Sequence, residues 1–323
     1  QRQNNNFTPI ISKEISTSNG HVLQLGVDDD VIYEIPKGKE RTTDKLRNEF
    51  IRICSEIRKK GGLPQVNHPF DVSFSTRYNS EFWDMVEIFE SMEIWNGATP
   101  FAAGTINAKA FKKWLSLLDE GKRLTATTGS DTHNIYGDDY FGMTEWLDWL
   151  MDIVMKHPEI YPVHMNENVA YLTWLYNKVW PRLLSWVEQS NTPSTIHNYV
   201  YTNGKNQPQE ILQAIREGHS FISNGPLVTA EVNGVSYGEK AVLKDRTGTL
   251  SVHVFSKKPI NHLWMYTGAD KKVELCAKAD AAEGGFMYDI AADELDFGDA
   301  AWVLFVADGG ENNLAISNPI LFA

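Results

Sequence analysis

The segment LTATTGSDTH at residues 124–133 decides the fold that we predict. Its first half has the β-branched composition of a strand, and the turn that follows carries Asp131 and His133. Side chains two residues apart in an extended segment point the same way, so these two can reach one cavity. A carboxylate and an imidazole together suit a borderline divalent metal. A surface turn explains an isolated Asp-x-His equally well.

Two further strand ends, both upstream, carry side chains of the same kind. His68 follows a predicted strand over residues 63–67, and Pro69 prevents that strand from continuing. Glu14 precedes His21, which leads into another predicted strand. Each residue alone is explained as well by a structural histidine or a solvated acid. Their joint occurrence, in the order Glu, His, His, Asp-x-His, predicts a metal site.

The sequence around these motifs alternates between strand and helix patterns. Apolar residues recur at helical spacing after Thr42 or Thr43 and again after Thr105, and glycines end both runs. Strands are expected over residues 22–26, 63–67, 86–89, 92–95 and 124–128. Repeated β-then-α units predict an α/β fold with a parallel sheet or barrel and helices outside it.

The later part of the chain has a different character. Tryptophan and leucine recur at helical spacing up to residue 191, which indicates a helical insertion, with a partner-binding or membrane-surface helix as the alternative. A short helix is predicted after Asn206, and the short apolar runs beyond Ser220 predict a β-sandwich. The predicted domains are a metal-binding barrel over 1–134, the insertion over 135–195, a barrel-completing segment over 196–219 and the sandwich over 220–323.

Composition narrows the classes of function. The net charge of -12 and a pI near 5.2 disfavour binding to a phosphate backbone, so no nucleic-acid partner is expected. No apolar run is long enough to cross a bilayer, and two cysteines are too few for a disulfide framework. We expect a small-molecule substrate. The location, inside the cell or exported, and the oligomeric state are left open.

The motif set resembles the PHP (polymerase and histidinol phosphatase) superfamily, in its branch of carbamate-hydrolase-like metallophosphoesterases. The resemblance is carried by residues 13–22, 61–69 and 129–133, and it continues in residues 93–97, 217–226 and 316–320. It extends over nearly the whole chain except the insertion. It implies a distorted β/α barrel with a helical insertion and a C-terminal β-sandwich.

The resemblance also implies a set of metal ligands. Glu14 takes the place of a bridging carboxylate, and the direct ligands are His21, His68, Asp131 and His133. A complete site of this family holds two or three divalent ions, which the donor types allow to be zinc, manganese or iron. The family's opening His-x-His motif and the Asp-His pair after it have no counterpart here. The barrel is therefore expected to be incomplete at its N-terminus.

The implied function is hydrolysis of a phosphoester by a metal-activated hydroxide. Arg77, in the loop after His68, is a candidate donor to a substrate phosphate. Asn134 is a candidate substrate contact or a support for His133. Carbamate, ester or amide hydrolysis at the same metal site is one alternative. A non-catalytic binding protein is another, favoured by the ten tryptophans and by the missing first motifs.

Overall fold

A computed structural model of the chain describes residues 8–17, 19–33, 42–71, 78–97, 101–131, 196–275, 278–310 and 313–323. The chain divides into two compact units, one of residues 1–96, 100–128 and 196–323 and the other of residues 97–99 and 129–195. The predicted helical insertion over 135–195 lies outside the described residues. The elements below belong to the first unit, apart from the last residue of β5.

The first sheet is open and contains five strands in chain order: β1 (Ser12–Thr17), β2 (Gly20–Leu25), β3 (Leu63–Asn67), β4 (Ser91–Asn96) and β5 (Thr125–Gly129). β2 pairs antiparallel with both β1 and β3. β3 and β4 run parallel. The sheet is therefore mixed, with an antiparallel hairpin at one edge.

The prediction of a β/α barrel is wrong. Within the described ranges, none of the three sheets closes on itself. These ranges contain seventeen strands, three α-helices and one 3-10 helix. Only two residues connect β1 to β2, which permits a hairpin but excludes the long crossover that parallel strands need. The apolar pattern of the sequence predicts β2 but not β1, because the sequence of β1, SKEIST, contains a single apolar residue.

Two helices cover the apolar face of this sheet. α1 (Thr43–Lys59) is capped by Thr42 and α2 (Ile106–Asp119) by Thr105, which confirms the predicted helix starts. None of the helices in the described ranges is long and apolar enough to cross a membrane. The helices and the sheet share one core, which includes Phe50, Ile53 and Ile57 of α1, Trp114 and Leu117 of α2, and Val22, Val66 and Ile94 of the sheet.

The opposite face of the sheet is polar, although much of it is buried. Side chains alternate between the faces of a strand, so Gln65 and Asn67 of β3 point away from Val66 and from the helices. Ser91 and Glu93 of β4 alternate with apolar residues in the same way. All four polar side chains are buried. Because buried polar groups need partners, these side chains are expected to form hydrogen bonds with one another and with their neighbours.

α3 (Pro208–Glu217) begins one residue later than predicted. Its N-cap is Gln207 and not Asn206, because a reciprocal capping box forms at Gln207. Leu212 of α3 packs with Leu63, at the start of β3. The helix thereby covers one end of the polar face.

A 3-10 helix (Ser80–Ile88) occupies most of the segment predicted as a strand over residues 86–89. Asn79 caps it, and Phe82 and Val86 are buried. A short apolar run fits either kind of element, so periodicity alone does not separate them. The predicted strand over 92–95 is confirmed as part of β4.

Two largely antiparallel sheets occupy the C-terminal part. Their strands are β6 (His197–Val200), β7 (Ser220–Ser223), β8 (Leu227–Val232), β9 (Lys240–Ala241), β10 (Thr247–Ser256), β11 (His262–Gly268), β12 (Lys271–Glu274), β13 (Ala279–Ala282), β14 (Gly285–Asp296), β15 (Trp302–Asp308), β16 (Leu314–Ser317) and β17 (Ile320–Phe322). The smaller sheet has the order β13-β14-β10-β8. The larger has the order β12-β11-β15-β16-β7-β6, with β17 beside β15 and β9 beside β17. Val252 and Val254 of the smaller sheet share one core with Leu263 and Phe305 of the larger.

Asn318, between β16 and β17, joins the C-terminal sheets to the first sheet. Its Oδ1 accepts the backbone N–H of Ala126 in β5 at 2.7 Å, and its Nδ2 donates to the carbonyl of Ser220 in β7 at 3.0 Å. The side chain is fully buried. One amide therefore satisfies backbone groups of two sheets at once, and its loss leaves those groups without these partners.

Candidate metal site

Glu14, His21 and His68 bring three metal-ligand side chains together on the first sheet. Glu14 Oε1 lies 2.8 Å from His21 Nδ1 and 3.0 Å from His68 Nε2. The two imidazole rings meet edge to face, with centroids 5.0 Å apart. One ligand atom from each of the three residues lies within 4.8 Å of the others. The three side chains are therefore close enough to hold a metal ion.

The strand register explains this convergence. Ser16 of β1 lies opposite His21 of β2, so Glu14, two residues before Ser16, is a diagonal neighbour of His21 on the same face. His21 in turn lies opposite Asn67, the last residue of β3. His68 follows immediately, which brings the second imidazole to the first.

A directed chain of hydrogen bonds reaches Glu14 through the sheet. The hydroxyls of Ser91 and Thr127 donate to Gln65 Oε1 at 3.1 and 2.8 Å. Gln65 Nε2 donates to Asn67 Oδ1 at 2.8 Å, and Asn67 Nδ2 donates to Glu14 Oε1 at 3.2 Å. Every donor in this chain points toward Glu14, so successive bonds polarise one another in the same direction. The chain fixes the amide of Asn67 as a donor to the carboxylate.

The surroundings keep the carboxyl of Glu14 ionised. Burial raises its pKa, but hydrogen bonds from His21 and His68, together with the positive charge on those rings when they are protonated, outweigh burial and hold the pKa well below its usual range. A carboxylate must be deprotonated to bind a metal. Glu14 is therefore already in the form that a ligand requires.

The donor set fits a divalent transition metal. Two imidazoles and one carboxylate are a known combination in catalytic zinc sites, and manganese or iron also accepts these ligands. The N–O separations of 2.8 and 3.0 Å are shorter than the roughly 3.3 Å between ligand atoms around tetrahedral zinc. Binding therefore requires the two rings to move outward from Glu14 Oε1, and the ring nitrogens that face this oxygen to be free of protons.

The other predicted site residues are not part of this described cluster. His133, Arg77 and Asn134 lie outside the described residues. Asp131 follows β5 with a φ of 55° and belongs to the second unit, that of residues 97–99 and 129–195. The participation of Asp131 and His133 in the metal site stays a prediction.

Three residues that support the ligands are absent from the predicted site: Gln65, Asn67 and Glu93. Glu93 accepts the backbone N–H of His68 at 2.7 Å through Oε2. A signal for these residues is present in the sequence, because β3 (LPQVN) and β4 (SMEIWN) carry polar residues at alternate positions. Every residue of both strands is buried. Polar residues at every second position of such a strand lie on one face of the sheet, and their hydrogen-bond partners are expected on that side.

No family model, curated protein or solved structure matches this chain. The resemblance to the PHP superfamily therefore rests on the sequence motifs alone. The candidate site rests on its own geometry.

Proposed function

We propose that the chain binds a divalent metal ion through Glu14, His21 and His68 and hydrolyses a phosphoester of a small molecule. The observation that carries this proposal is the convergence of one carboxylate oxygen and two imidazole nitrogens within 4.8 Å. Three protein ligands leave a coordination position for water or substrate, which is typical of catalytic rather than structural sites. Zinc, manganese and iron all suit these donors.

The bound ion would polarise a phosphoryl oxygen and lower the pKa of a bound water. The residues of the chain prepare the site for it. Glu14 contributes negative charge, and its Oε1 is held in place by the Asn67 amide at 3.2 Å. His21 and His68 each present one ring nitrogen to the same point.

The sequence motifs support the choice of a phosphoester and of a larger site. In that proposal Asp131 and His133 add ligands for a second or third ion. Arg77 donates to the substrate phosphate, where a forked guanidinium suits the phosphate oxygens. Asn134 contacts the substrate or supports His133.

The first test is the metal content of the purified chain, measured by plasma mass spectrometry. His68→Ala removes one ligand, and His262→Ala is a matched control, because His262 is an exposed histidine paired with Glu274 at 2.7 Å. We expect stoichiometric zinc, manganese or iron in the unaltered chain and in the control, and a loss in His68→Ala. Metal content far below stoichiometry in the unaltered chain, even after added metal, contradicts the proposal.

The second test identifies the bond that is cleaved. The metal-loaded chain is assayed on phosphate monoesters, phosphate diesters and aryl carbamates. We expect release of phosphate or of an alcohol from a phosphoester, with loss of activity in His68→Ala. Activity on carbamates alone overturns the phosphoester assignment, and metal binding without any hydrolysis indicates a binding protein.

A further inference from the structure

We propose that Glu93 is a positioning residue for the metal site, because it holds His68 in the backbone conformation that directs Nε2 toward Glu14. This inference rests on the proposed metal binding by Glu14, His21 and His68, and not on the identity of the bond that is hydrolysed. Glu93 acts through the main chain of His68 and is not itself proposed as a ligand.

The backbone of His68 is strained. Its φ is 24°, a value that residues other than glycine seldom adopt unless the surrounding structure enforces it. The side chain is only 4% exposed, so the conformation is fixed within a buried environment. A strained backbone conformation of this kind persists only where the surrounding structure holds it in place.

One restraint acts on the carbonyl side of His68. The carbonyl oxygen accepts the backbone N–H of Asp71 at 2.9 Å, which closes a four-residue turn. Pro69 occupies the second position of this turn, where its fixed φ is favourable. The turn carries the chain away from the sheet directly after His68.

Glu93 restrains the opposite side of His68. Its Oε2 accepts the His68 backbone N–H at 2.7 Å, and its own side chain is buried. β3 and β4 run parallel, with Val66 opposite Met92, so Glu93 lies beside the end of β3. In a continuing parallel ladder that N–H would bond to a backbone carbonyl of the neighbouring strand. The carboxyl group takes its place, so the ladder can end and the backbone can turn without leaving a buried donor unpaired.

The two restraints together direct the imidazole. Without the carboxyl group, the His68 N–H loses this acceptor, and the backbone is free to relax toward negative φ. Such a relaxation reorients the side chain, whose Nε2 now lies 3.0 Å from Glu14 Oε1. Partners that orient a metal ligand commonly contribute about 10–100-fold to metal affinity.

The test measures the zinc affinity of Glu93→Ala and Glu93→Gln by competition with a chromophoric chelator. Glu93→Ala removes the acceptor and is expected to weaken zinc binding by about 10–100-fold. Glu93→Gln retains an oxygen in the same position and is expected to recover much of that loss. The absorption spectrum of bound cobalt is expected to change in Glu93→Ala, because the ligand geometry changes with His68.

A matched control separates positioning from stability. Ser317→Ala removes a buried hydroxyl that accepts one backbone N–H, that of Phe305, at 2.9 Å in the C-terminal sheets. It is expected to lower the midpoint of thermal unfolding and to leave zinc affinity and the cobalt spectrum unchanged. If Glu93 had only a structural role, Glu93→Ala would behave in the same way as this control.

The outcomes distinguish this inference from the proposed function. Tight zinc binding by the unaltered chain together with unchanged affinity in Glu93→Ala overturns the role of Glu93 and leaves the metal site intact. Absence of zinc binding in the unaltered chain overturns both. If Glu93→Ala fails to fold, Glu93→Asp withdraws the carboxyl group by one methylene, and unchanged zinc affinity in that variant overturns the inference.

Discussion

Gly20 lies so close to Tyr78 that a Cβ added to the glycine would stand 2.8 Å from the Tyr78 Cα. The φ of Gly20 is 124°, which glycine adopts without the steric cost that a side chain brings. The backbone of Asn79 also donates to the carbonyl of Asn19 at 2.9 Å. The hairpin that carries Glu14 and His21 is thus fixed against the segment that begins at Tyr78.

Replacement of Gly20 by alanine is expected to destabilise the fold by about 1–3 kcal/mol and to weaken metal binding, since His21 is the next residue. Gly121→Ala is a control for backbone strain alone, because Gly121 has a φ of 78° and no atom within 4 Å of an added Cβ. Denaturant unfolding measures the loss in each variant. Equal losses with unchanged metal affinity would show that the contact with Tyr78 is unimportant.

Glu14→Gln is expected to lower zinc affinity by more than about 100-fold, because the substitution removes the negative charge of a direct ligand. Glu274→Gln provides a control, since Glu274 pairs with His262 at 2.7 Å and both side chains are exposed. Calorimetric titration of the metal-free chains measures the effect. Wild-type affinity in Glu14→Gln would exclude this residue as a ligand.

Metal is expected to stabilise the folded chain by an amount that grows with the logarithm of the free metal concentration divided by the dissociation constant. Free zinc at one hundred times the dissociation constant adds about 2.7 kcal/mol to the free energy of unfolding. A chelator removes this increment, and His21→Ala is expected to abolish it. Thermal unfolding with and without zinc is the measurement, and a midpoint independent of zinc in the unaltered chain contradicts binding to the native state.

Glu90 links two helices to the first sheet through ion pairs with Arg58 of α1 and Arg216 of α3, each at 2.6 Å. Glu90→Gln is expected to cost about 1–3 kcal/mol, because two charge-assisted bonds lose their charged acceptor. Glu56→Gln, which breaks an exposed pair with Lys59, is expected to cost markedly less, because solvent screens an exposed ion pair. Denaturant unfolding compares the two. A Glu90 variant no less stable than the control would show that the network is dispensable.

Alkaline unfolding is expected to depend on Tyr237. This side chain is buried, its hydroxyl donates to the carbonyl of Val228 at 3.1 Å, and burial, followed by the charge of Tyr201, raises its pKa well above the usual value. A pKa raised in the folded state means that the contribution to stability is fully present below about pH 10 and is lost as pH rises from there toward the folded-state pKa. Tyr237→Phe is expected to cost about 1 kcal/mol at neutral pH and to flatten the alkaline decline. The measurement is the free energy of unfolding of both chains from pH 8 upward. An identical decline with pH in the two chains would contradict the role of Tyr237.

Local chemistry in the sequence predicts part of this structure well. The caps at Thr42 and Thr105 follow from side chains that accept hydrogen bonds within their own first turn. The prediction that Glu14, His21 and His68 lie close together is confirmed. It follows from the position of each residue at the end of a predicted strand or upstream of one. The two caps and the Glu14–His21 pair depend on residues that are near one another in the chain, whereas His68, 54 residues from Glu14, is predicted from its position at a strand end.

Features that depend on pairing between distant segments escape the sequence. β1 is recognisable only through its hydrogen bonds to β2, and without it the strand pattern suggests a barrel. Glu93 reads as an ordinary strand residue until the register of β3 against β4 places it beside His68. Alternation shows which positions are polar, but it does not show which strand lies next to which.

The β1–β2 hairpin has a consequence for the order in which the site assembles. Glu14 and His21 are seven residues apart and meet through a turn that forms on the scale of about 1–10 μs. His68 is 54 residues from Glu14, with α1 between β2 and β3 in the chain, so its approach requires the closure of a much longer loop. An isolated hairpin is only marginally stable in water, so Glu14 and His21 alone are expected to bind an ion weakly. Capture of metal during refolding therefore reports the docking of β3 onto the hairpin, and a time course of cobalt absorbance follows that step directly.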